Sequence, residues 1–142
     1  MFEIKICMMP EEREKAFKIR EIVFVDEQGF LLEQERDEYD DCAIHVVGYE
    51  KEIPVACGRL VGIDGKAKLG RIAVLKEKRS NKYGFKICGF LIDKAVEMGL
   101  KEIYLHSQVG VTGFYKKLGF REHGGIFLEE DAEHIKMVRI EP

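Results

Sequence analysis

The 142-residue sequence lacks tryptophan, has only three prolines and contains no Pro/Gly-rich linker, repeat or low-complexity tract. With nothing to divide it, we expect one domain over residues 1–142. No apolar run approaches the ~18 residues of a membrane-spanning helix, and the start MFEIKI lacks the pattern of a signal peptide. These absences predict a cytoplasmic protein without a membrane partner.

A net charge of only −3 leaves no overall basic excess. Nucleic-acid binders usually carry such an excess, so we expect no nucleic-acid partner. The charge is nevertheless uneven along the chain. Residues 33–41 hold six acids and one base, whereas residues 76–86 hold five bases and one acid. Each stretch is either a solvated surface segment or part of a site.

The four cysteines, Cys7, Cys42, Cys57 and Cys88, form no CxxC pair. Each lies in an apolar setting, so we expect buried free thiols rather than disulfides or metal ligands. The acidic residues do not follow the spacing of a calcium loop, and no metal site is predicted. Walker A and GxGxxG stretches are also absent, which argues against a nucleotide-binding protein.

Hydrophobic periodicity and turn residues predict ten elements in the order β-α-β-β-β-α-β-α-β-β. The predicted helices cover 10–27, 84–98 and 110–118, and the predicted strands cover 2–8, 42–49, 53–62, 66–75, 101–106, 120–128 and 134–140. An acidic loop is expected between Gly29 and Asp41. This order predicts an α/β (α+β) fold, in which a mixed sheet carries helices on its faces.

Apolar residues at helical spacing predict one buried face on each of the two long helices. Pro10 suits the first turn of the first helix, and Gly99 suits the C-terminal cap of the second. The predicted face residues are Ala16, Ile19 and Val23 in the first helix, and Ile87, Cys88, Leu91, Ala95 and Met98 in the second.

Asp64-Gly65 is a strong signal for a tight hairpin turn. It predicts that strands 53–62 and 66–75 pair antiparallel. The helix and strand that follow complete a βαβ unit, whose two strands should be parallel and joined by a right-handed crossover.

A basic loop, Arg79–Gly84, falls between the predicted strand and helix of this unit. Backbone N–H groups at a helix start lack intrahelical partners and, with the helix dipole, favour an anion. Arg79 and Lys82 add positive charge suited to phosphate oxygens, and Gly84 allows close approach of the backbone. The pattern indicates a phosphate or pyrophosphate site, with a solvated helix start as the alternative.

This strand–loop–helix segment resembles the GCN5-related N-acetyltransferase (GNAT) family. Residues 79–84 (RSNKYG) are similar to the R-x-x-G-x-G/A loop of that family, with Lys82 at the first motif glycine. Residues 113–120 (GFYKKLGF) closely resemble the family's FYxKLGF element, and the element order is similar over nearly the whole chain. The chain resembles the ElaA-like branch of the family more closely. The features that recur in that branch are similar to residues 23–28, His45, Gly70-Arg71, Gln108, residues 133–135 and the lysine at position 82.

The resemblance implies a GNAT-type mixed, mostly antiparallel sheet with a central parallel βαβ unit and helices on both faces. It also implies acetyl-coenzyme A (acetyl-CoA) as the co-substrate. Its pyrophosphate would lie on the basic loop, and its pantetheine arm would enter a gap where strands 66–75 and 101–106 splay apart. The implied cofactor-binding residues are Ile72, Ala73, Val74, Arg79, Ser80, Asn81, Lys82, Tyr83, Gly84, Gln108 and Phe114.

Direct acetyl transfer needs a neutral amine and a proton for the leaving thiolate. The resemblance implies that Tyr115 supplies this proton and that the Val74 N–H polarises the thioester carbonyl. The catalytic base is left open between a water chain and four residues, Glu27, His45, His106 and His134.

Two further features have more than one interpretation. Asp37, Asp40 and Asp41 are expected to form a solvated loop, with attraction of a cationic acceptor as the alternative. Arg71 is unusual in a strand, and we expect it to pair with an acid of the first helix or loop, or to contact an anionic substrate.

The resulting hypothesis is an acetyl-CoA-dependent N-acetyltransferase that acts on a small-molecule or protein amine acceptor. The alternative is a non-catalytic sensor of acyl-CoA, which Lys82 in place of the motif glycine favours. A homodimer is also considered, because small proteins of this kind often pair.

Overall fold

The computed structural model, which describes residues 1–141, contains seven strands in one sheet. They are β1 (Phe2–Ile6), β2 (Ile44–Glu50), β3 (Ile53–Ile63), β4 (Lys66–Val74), β5 (Glu102–Gln108), β6 (Arg121–Glu129) and β7 (Ala132–Ile140). Their spatial order is β1-β2-β3-β4-β5-β7-β6. Among the pairs described, β4–β5 is parallel and the other five are antiparallel. The expected mixed, mostly antiparallel sheet is confirmed.

The α-helices of the described chain are α1 (Pro10–Arg20), α2 (Leu32–Glu35), α3 (Tyr83–Glu97) and α4 (Thr112–Lys116). A π-helix, Glu21–Glu27, continues α1 without a break, so the first predicted helix has its expected length but a wider final part. Short 3-10 turns occupy Glu38–Asp41, Lys76–Lys78 and Val109–Val111. No helix within residues 1–141 is long and apolar enough to cross a membrane.

Helices cover both faces of the sheet, as expected. Val46 and Val47 are consecutive in β2 and therefore point to opposite faces. Val47 packs in one buried cluster with Ala16, Ile19 and Val23 of the first helix. Val46 packs in a second cluster with the buried face of α3.

The face predicted on α3 is buried except at its last residue. Met98 is 46% exposed because it is the C-cap residue rather than part of the helix face. Gly99 follows with a φ of +81°, the left-handed conformation that commonly ends a helix. The predicted β3–β4 hairpin is also present, and Asp64 and Gly65 both have positive φ, as a tight two-residue turn requires.

The cysteines are all free but differ in burial. Cys57 and Cys88 are buried, as expected, and burial raises the pKa of each thiol to about 12. Cys7 is half-buried. The prediction is wrong for Cys42, which is exposed because it lies at the end of the 3-10 turn Glu38–Asp41.

Six charged side chains form a buried ion network between α1, the acidic segment 32–41 and strands β3 and β4. Its members are Arg20, Glu35, Asp37, Asp40, Arg59 and Arg71. Three arginines therefore face three carboxylates, so the network is neutral as a whole. Charges buried in this way are tolerated only when they are paired and hydrogen-bonded.

Arg20 lies at the centre of the network and is 1% exposed. Its Nε donates to Glu35 Oε2 at 2.7 Å, and its Nη1 and Nη2 donate to the Asp40 carboxylate at 2.8 and 3.0 Å. Arg59 donates to Asp37 at 2.7 and 2.8 Å and to Asp40 at 2.8 Å. Although burial acts to raise the pKa of Asp40, Arg20 and Arg59 hold that pKa well below its usual range.

These contacts correct the expectation of a solvated acidic loop. Asp40 is buried and Asp37 is half-buried, because each carboxylate faces arginines from other elements; Asp41 alone of the three is exposed. The pairing expected for Arg71 is confirmed, since it contacts both Glu35 and Asp37.

Replacing Arg20 by Met should lower the free energy of unfolding by about 3–5 kcal/mol, because Glu35 and Asp40 would lose a buried counter-charge. Denaturant unfolding measures this change. Lys18→Met, on the exposed side of the same helix, is the matched control and should change the free energy by less than about 0.5 kcal/mol. If Arg20→Met were as stable as the control, the network would not be what holds these elements together.

Candidate functional site

Strands β4 and β5 separate soon after they begin to pair. Their parallel register contains Ala67 opposite Ile103 and Lys68 opposite Tyr104, and it ends there. Beyond this point the β5-facing edge of β4 has no strand partner within the described residues. We call this opening the β4–β5 gap, and it corresponds to the splay that the family resemblance implies.

A β-bulge in β4 lies beside the gap. The β3–β4 register passes from Cys57–Ala73 to Arg59–Gly70, which leaves one extra residue on β4. Arg71 within the bulge has a φ of +51°, an uncommon conformation for a residue other than glycine. Its Nε and Nη2 donate to the Glu35 carbonyl at 3.0 and 2.9 Å. The buried ion network thus holds the bulge in place.

A cleft of about 550 Å³ follows the gap from the start of α3 to the ends of β6 and β7. Most of the predicted site residues lie in its wall. They are Ile72, Ala73, Val74, Arg79, Ser80, Lys82, Tyr83, Gly84, Gln108, Phe114 and Tyr115.

The basic loop closes one end of the cleft. Lys82 caps α3 with a φ of +61°, which explains why the related motif has glycine at this position. The first intrahelical bond runs from Lys86 N to Lys82 O at 3.1 Å, so the amides before Lys86 in the first turn lack helical partners. A Cβ added to Gly84 would lie 3.6 Å from Val74 Cγ2 and 3.7 Å from Phe114 Cζ, so this backbone lies against the gap.

Two loop residues direct their side chains elsewhere. Tyr83 stacks on Phe2 with ring centroids 3.9 Å apart and donates its hydroxyl hydrogen to Glu50. It can therefore offer only its backbone to a ligand. Asn81 is not part of the cleft wall, because its amide nitrogen donates to the Lys78 carbonyl at 3.1 Å and closes the loop.

The structure does not bring Glu27 and His45, two of the four candidate bases, into the cleft wall. Glu27 holds Arg79 in a two-pronged contact, with oxygens 2.6 and 2.7 Å from the guanidinium nitrogens, and this contact lowers the pKa of Glu27. His45 is 2% exposed, and its Nε2 donates to the Asp40 carbonyl at 2.9 Å. Both side chains are thus engaged in structural contacts.

Three titratable groups in the wall can serve proton transfer. Tyr115 has its pKa raised by burial, so its hydroxyl stays protonated at neutral pH. His106 Nδ1 lies 2.9 Å from Glu129 Oε2. Because a carboxylate only accepts, Nδ1 carries the hydrogen and Nε2 of the neutral ring is left to accept a proton. His134 is buried, with Nδ1 donating to the Ala132 carbonyl at 2.9 Å.

Sequence reasoning missed Glu129 and Lys68, which also line the cleft. Glu129 on β6 and His106 on β5 are separated in the sheet by β7, and their side chains meet across it. Lys68 alternates with Ala67 and Leu69 like any outward-facing strand residue. Neither position carries a local signal that marks it as part of a site.

A sequence model described as the acetyltransferase (GNAT) family matches residues 8–120. The chain belongs to this family. The expected family and acetyltransferase class are therefore confirmed. The uncharacterized N-acetyltransferase YjcF of Bacillus subtilis strain 168 is 38% identical to this GNAT chain over 135 residues, which cover 94% of the chain and 96% of YjcF.

Two solved GNAT-like structures are similar over almost their whole length. One, assigned as an N-acetyltransferase from Lactobacillus plantarum, is 25% identical with a TM-score of 0.91, covering 98% of this chain and 97% of that one. Escherichia coli ElaA is also 25% identical, with a TM-score of 0.87 and coverage of 98% and 99%. The ElaA-like relationship is confirmed.

The gap fits the acyl-CoA that GNAT enzymes generally use as co-substrate. An unpartnered strand edge can pair with the amide groups of a pantetheine arm. The free first-turn amides of α3 and the charge of Lys82 suit a pyrophosphate at the far end, where Arg79 is paired with Glu27.

His45→Gln should flatten the pH dependence of stability in this GNAT protein below about pH 6.5. Burial is the largest influence on His45 and lowers its pKa, despite the opposing contact with the Asp40 carbonyl. As the pH falls, this histidine is therefore protonated in the unfolded chain before it is protonated in the folded one. The free energy of unfolding is highest above the unfolded pKa of ~6.5 and decreases from there down to the lowered pKa of the folded state.

The measurement is denaturant unfolding between about pH 7.5 and 5, where one such group adds at most about 1.4 kcal/mol per pH unit to the slope. Glutamine retains a nitrogen donor for the Asp40 carbonyl but does not titrate. The exposed His123→Gln is the control and should keep the wild-type slope. An unchanged slope in His45→Gln would contradict the assignment.

Proposed function

We propose that this chain is an acetyl-CoA-dependent N-acetyltransferase in which an amine attacks the thioester directly. The observation that supports this most is the β4–β5 gap, which runs from the unpartnered amides of α3 to Tyr115. Acetyl-CoA supplies a thioester whose carbonyl carbon accepts the amine.

The chain's backbone would hold and orient the co-substrate. Ile72, Ala73 and Val74 offer the strand edge for the pantetheine arm, and the Val74 N–H is proposed to polarise the thioester carbonyl. Lys82 would neutralise phosphate charge at the start of α3, and Arg79 would do so by exchanging its Glu27 partner for phosphate. Arg79 is already aimed along this wall, since its Nε donates to the Val74 carbonyl at 2.9 Å.

Tyr115 is proposed to donate its hydroxyl proton to the leaving thiolate sulfur. Burial raises the pKa of Tyr115, so the proton is still present at neutral pH. Its ring is held in place by edge contacts with Phe114 and Phe120, at centroid distances of 5.0 and 6.0 Å.

His106 is proposed as the base, with Glu129 as a positioning residue. An alkyl amine with a pKa near ~10 is mostly protonated at neutral pH, so a proton must be removed before or during attack. Glu129 accepts from Nδ1 of His106, which leaves Nε2 to take that proton. Glu27 and His45 receive no catalytic role in this proposal, because their contacts hold them outside the cleft wall.

Tyr115→Phe should slow the release of free thiol from acetyl-CoA by about 100-fold in the presence of an amine panel, because the leaving sulfur loses its proton donor. Binding should survive, so acetyl-CoA and CoA, but not ATP, should still raise the melting temperature. Tyr49→Phe, on β2 and outside the cleft wall, is the control and should keep the wild-type rate.

The outcomes separate the two functions. No thermal shift with acetyl-CoA would contradict both the enzyme and the sensor. A shift without thiol release for any amine would favour the sensor. An unchanged rate in Tyr115→Phe, where chemistry limits turnover, would remove only the acid role of Tyr115.

His106→Ala should lower kcat/KM by about 100-fold and remove the acidic limb of the pH–rate profile, because that limb reports protonation of the base. Added imidazole should restore part of the rate, which a purely structural role would not allow. The exposed His123→Ala on β6 should behave as wild type with and without imidazole. If imidazole does not rescue His106→Ala and the acidic limb persists, His134 or a water chain is the better account.

A further inference from the structure

The half of the cleft away from α3, which is left for the acceptor when the co-substrate pyrophosphate lies at α3, contains a cation that the proposed reaction does not use. Lys68 is the last residue of β4 that pairs with β5, opposite Tyr104, and its partner on β3 is Val61. It is half-buried and lines the cleft together with Val61 and His106. Lys68 therefore lies where the two strands separate, at the inner end of the gap.

The other charged groups around Lys68 already have partners. Arg59 and Arg71 belong to the buried ion network, and His106 is hydrogen-bonded to Glu129. No carboxylate of residues 1–141 forms an ion pair with Lys68. Burial is the largest influence on the Lys68 pKa and lowers it, and Glu129 opposes this only from a distance.

An ammonium group that is partly removed from water and has no contact partner is unfavourable. A carboxylate in the cleft would supply a charge-assisted hydrogen bond and restore the balance of charge. The two nearby arginines already have their charges compensated, because Arg59 contacts Asp37 and Asp40, and Arg71 contacts Glu35 and Asp37. Lys68 is thus the cation in this half of the cleft that is available to a ligand.

We propose that Lys68 binds a carboxylate of the acceptor, so that the acceptor is a small amine that also carries an acid group. This inference rests on the N-acetyltransferase function proposed above. His106 is two residues beyond Tyr104 on the same face of β5, which separates the Cα atoms of Lys68 and His106 by roughly 8 Å in ordinary strand geometry. Amino acids, whose amine and carboxylate are a few bonds apart, can therefore face both residues at once.

The test uses matched pairs of acceptors, each an amino acid and its carboxamide. Glycine, β-alanine and 4-aminobutyrate are compared with glycinamide, β-alaninamide and 4-aminobutyramide, which keep the shape but lose the negative charge. Wild type should prefer the acid member of at least one pair by roughly 10- to 100-fold in kcat/KM, the range of one hydrogen bond between charged groups.

Lys68→Met removes the charge and keeps the apolar stem, so it should lower kcat/KM for the acids to the level of the amides. Lys68→Arg should retain part of the preference. Lys66→Met is the matched control, because Lys66 lies two residues earlier on the same strand face, pairs with Glu102 and is not in the cleft wall. Lys68→Gln replaces Lys68→Met if the latter has a lower melting temperature than the control.

Binding gives a second readout that does not need turnover. Calorimetry with the preferred amino acid and CoA-saturated protein should detect binding in wild type and Lys66→Met, but not in Lys68→Met. An acid preference that persists in Lys68→Met, an equal loss for acids and amides, or the absence of both preference and binding in wild type would overturn the inference. Failure of the N-acetyltransferase proposal is distinct, since it would appear as no thermal shift with acetyl-CoA, or as a shift without thiol release for any amine.

Discussion

The buried ion network is the interaction on which the rest of this structure depends. Arg20 holds Glu35 and Asp40 and thereby fastens the acidic segment to the first helix. Arg71 donates from β4 to the backbone carbonyl of the same Glu35, and it has a left-handed conformation that persists only when the surroundings hold it. Because this bulge lies beside the β4–β5 gap, the network shapes the cleft as well as lining part of it.

The same network divides the charged residues of the cleft into two groups. Its three arginines and three carboxylates neutralise one another, so they contribute shape and stability rather than chemistry. The titratable groups of the cleft wall that lie outside the network include Tyr115, the His106–Glu129 pair, His134 and Lys68. Among residues 1–141, none of these groups forms an ion pair with the network.

Some parts of the site were predictable from local patterns, and others were not. The helix faces, the Asp64-Gly65 turn and the helix start at Lys82 follow from residue types a few positions apart. Such local preferences do not depend on how the rest of the chain folds. The buried state of Asp37 and Asp40 has no such signal. An acidic run beside a short helix looks solvated until arginines from distant strands, such as Arg59, are placed against it.

The sequence by itself determined the order of elements, the parallel βαβ unit, the basic loop and the family, because these depend on periodicity, turn chemistry and contiguous motifs. Tertiary structure alone decided which titratable groups share the cleft. His45 and His106 are both strand histidines, yet one is buried under the ion network and the other faces the cleft. Strand order sets this difference. The neighbours of a strand can come from any part of the chain, and the residues of the strand itself do not indicate which they are.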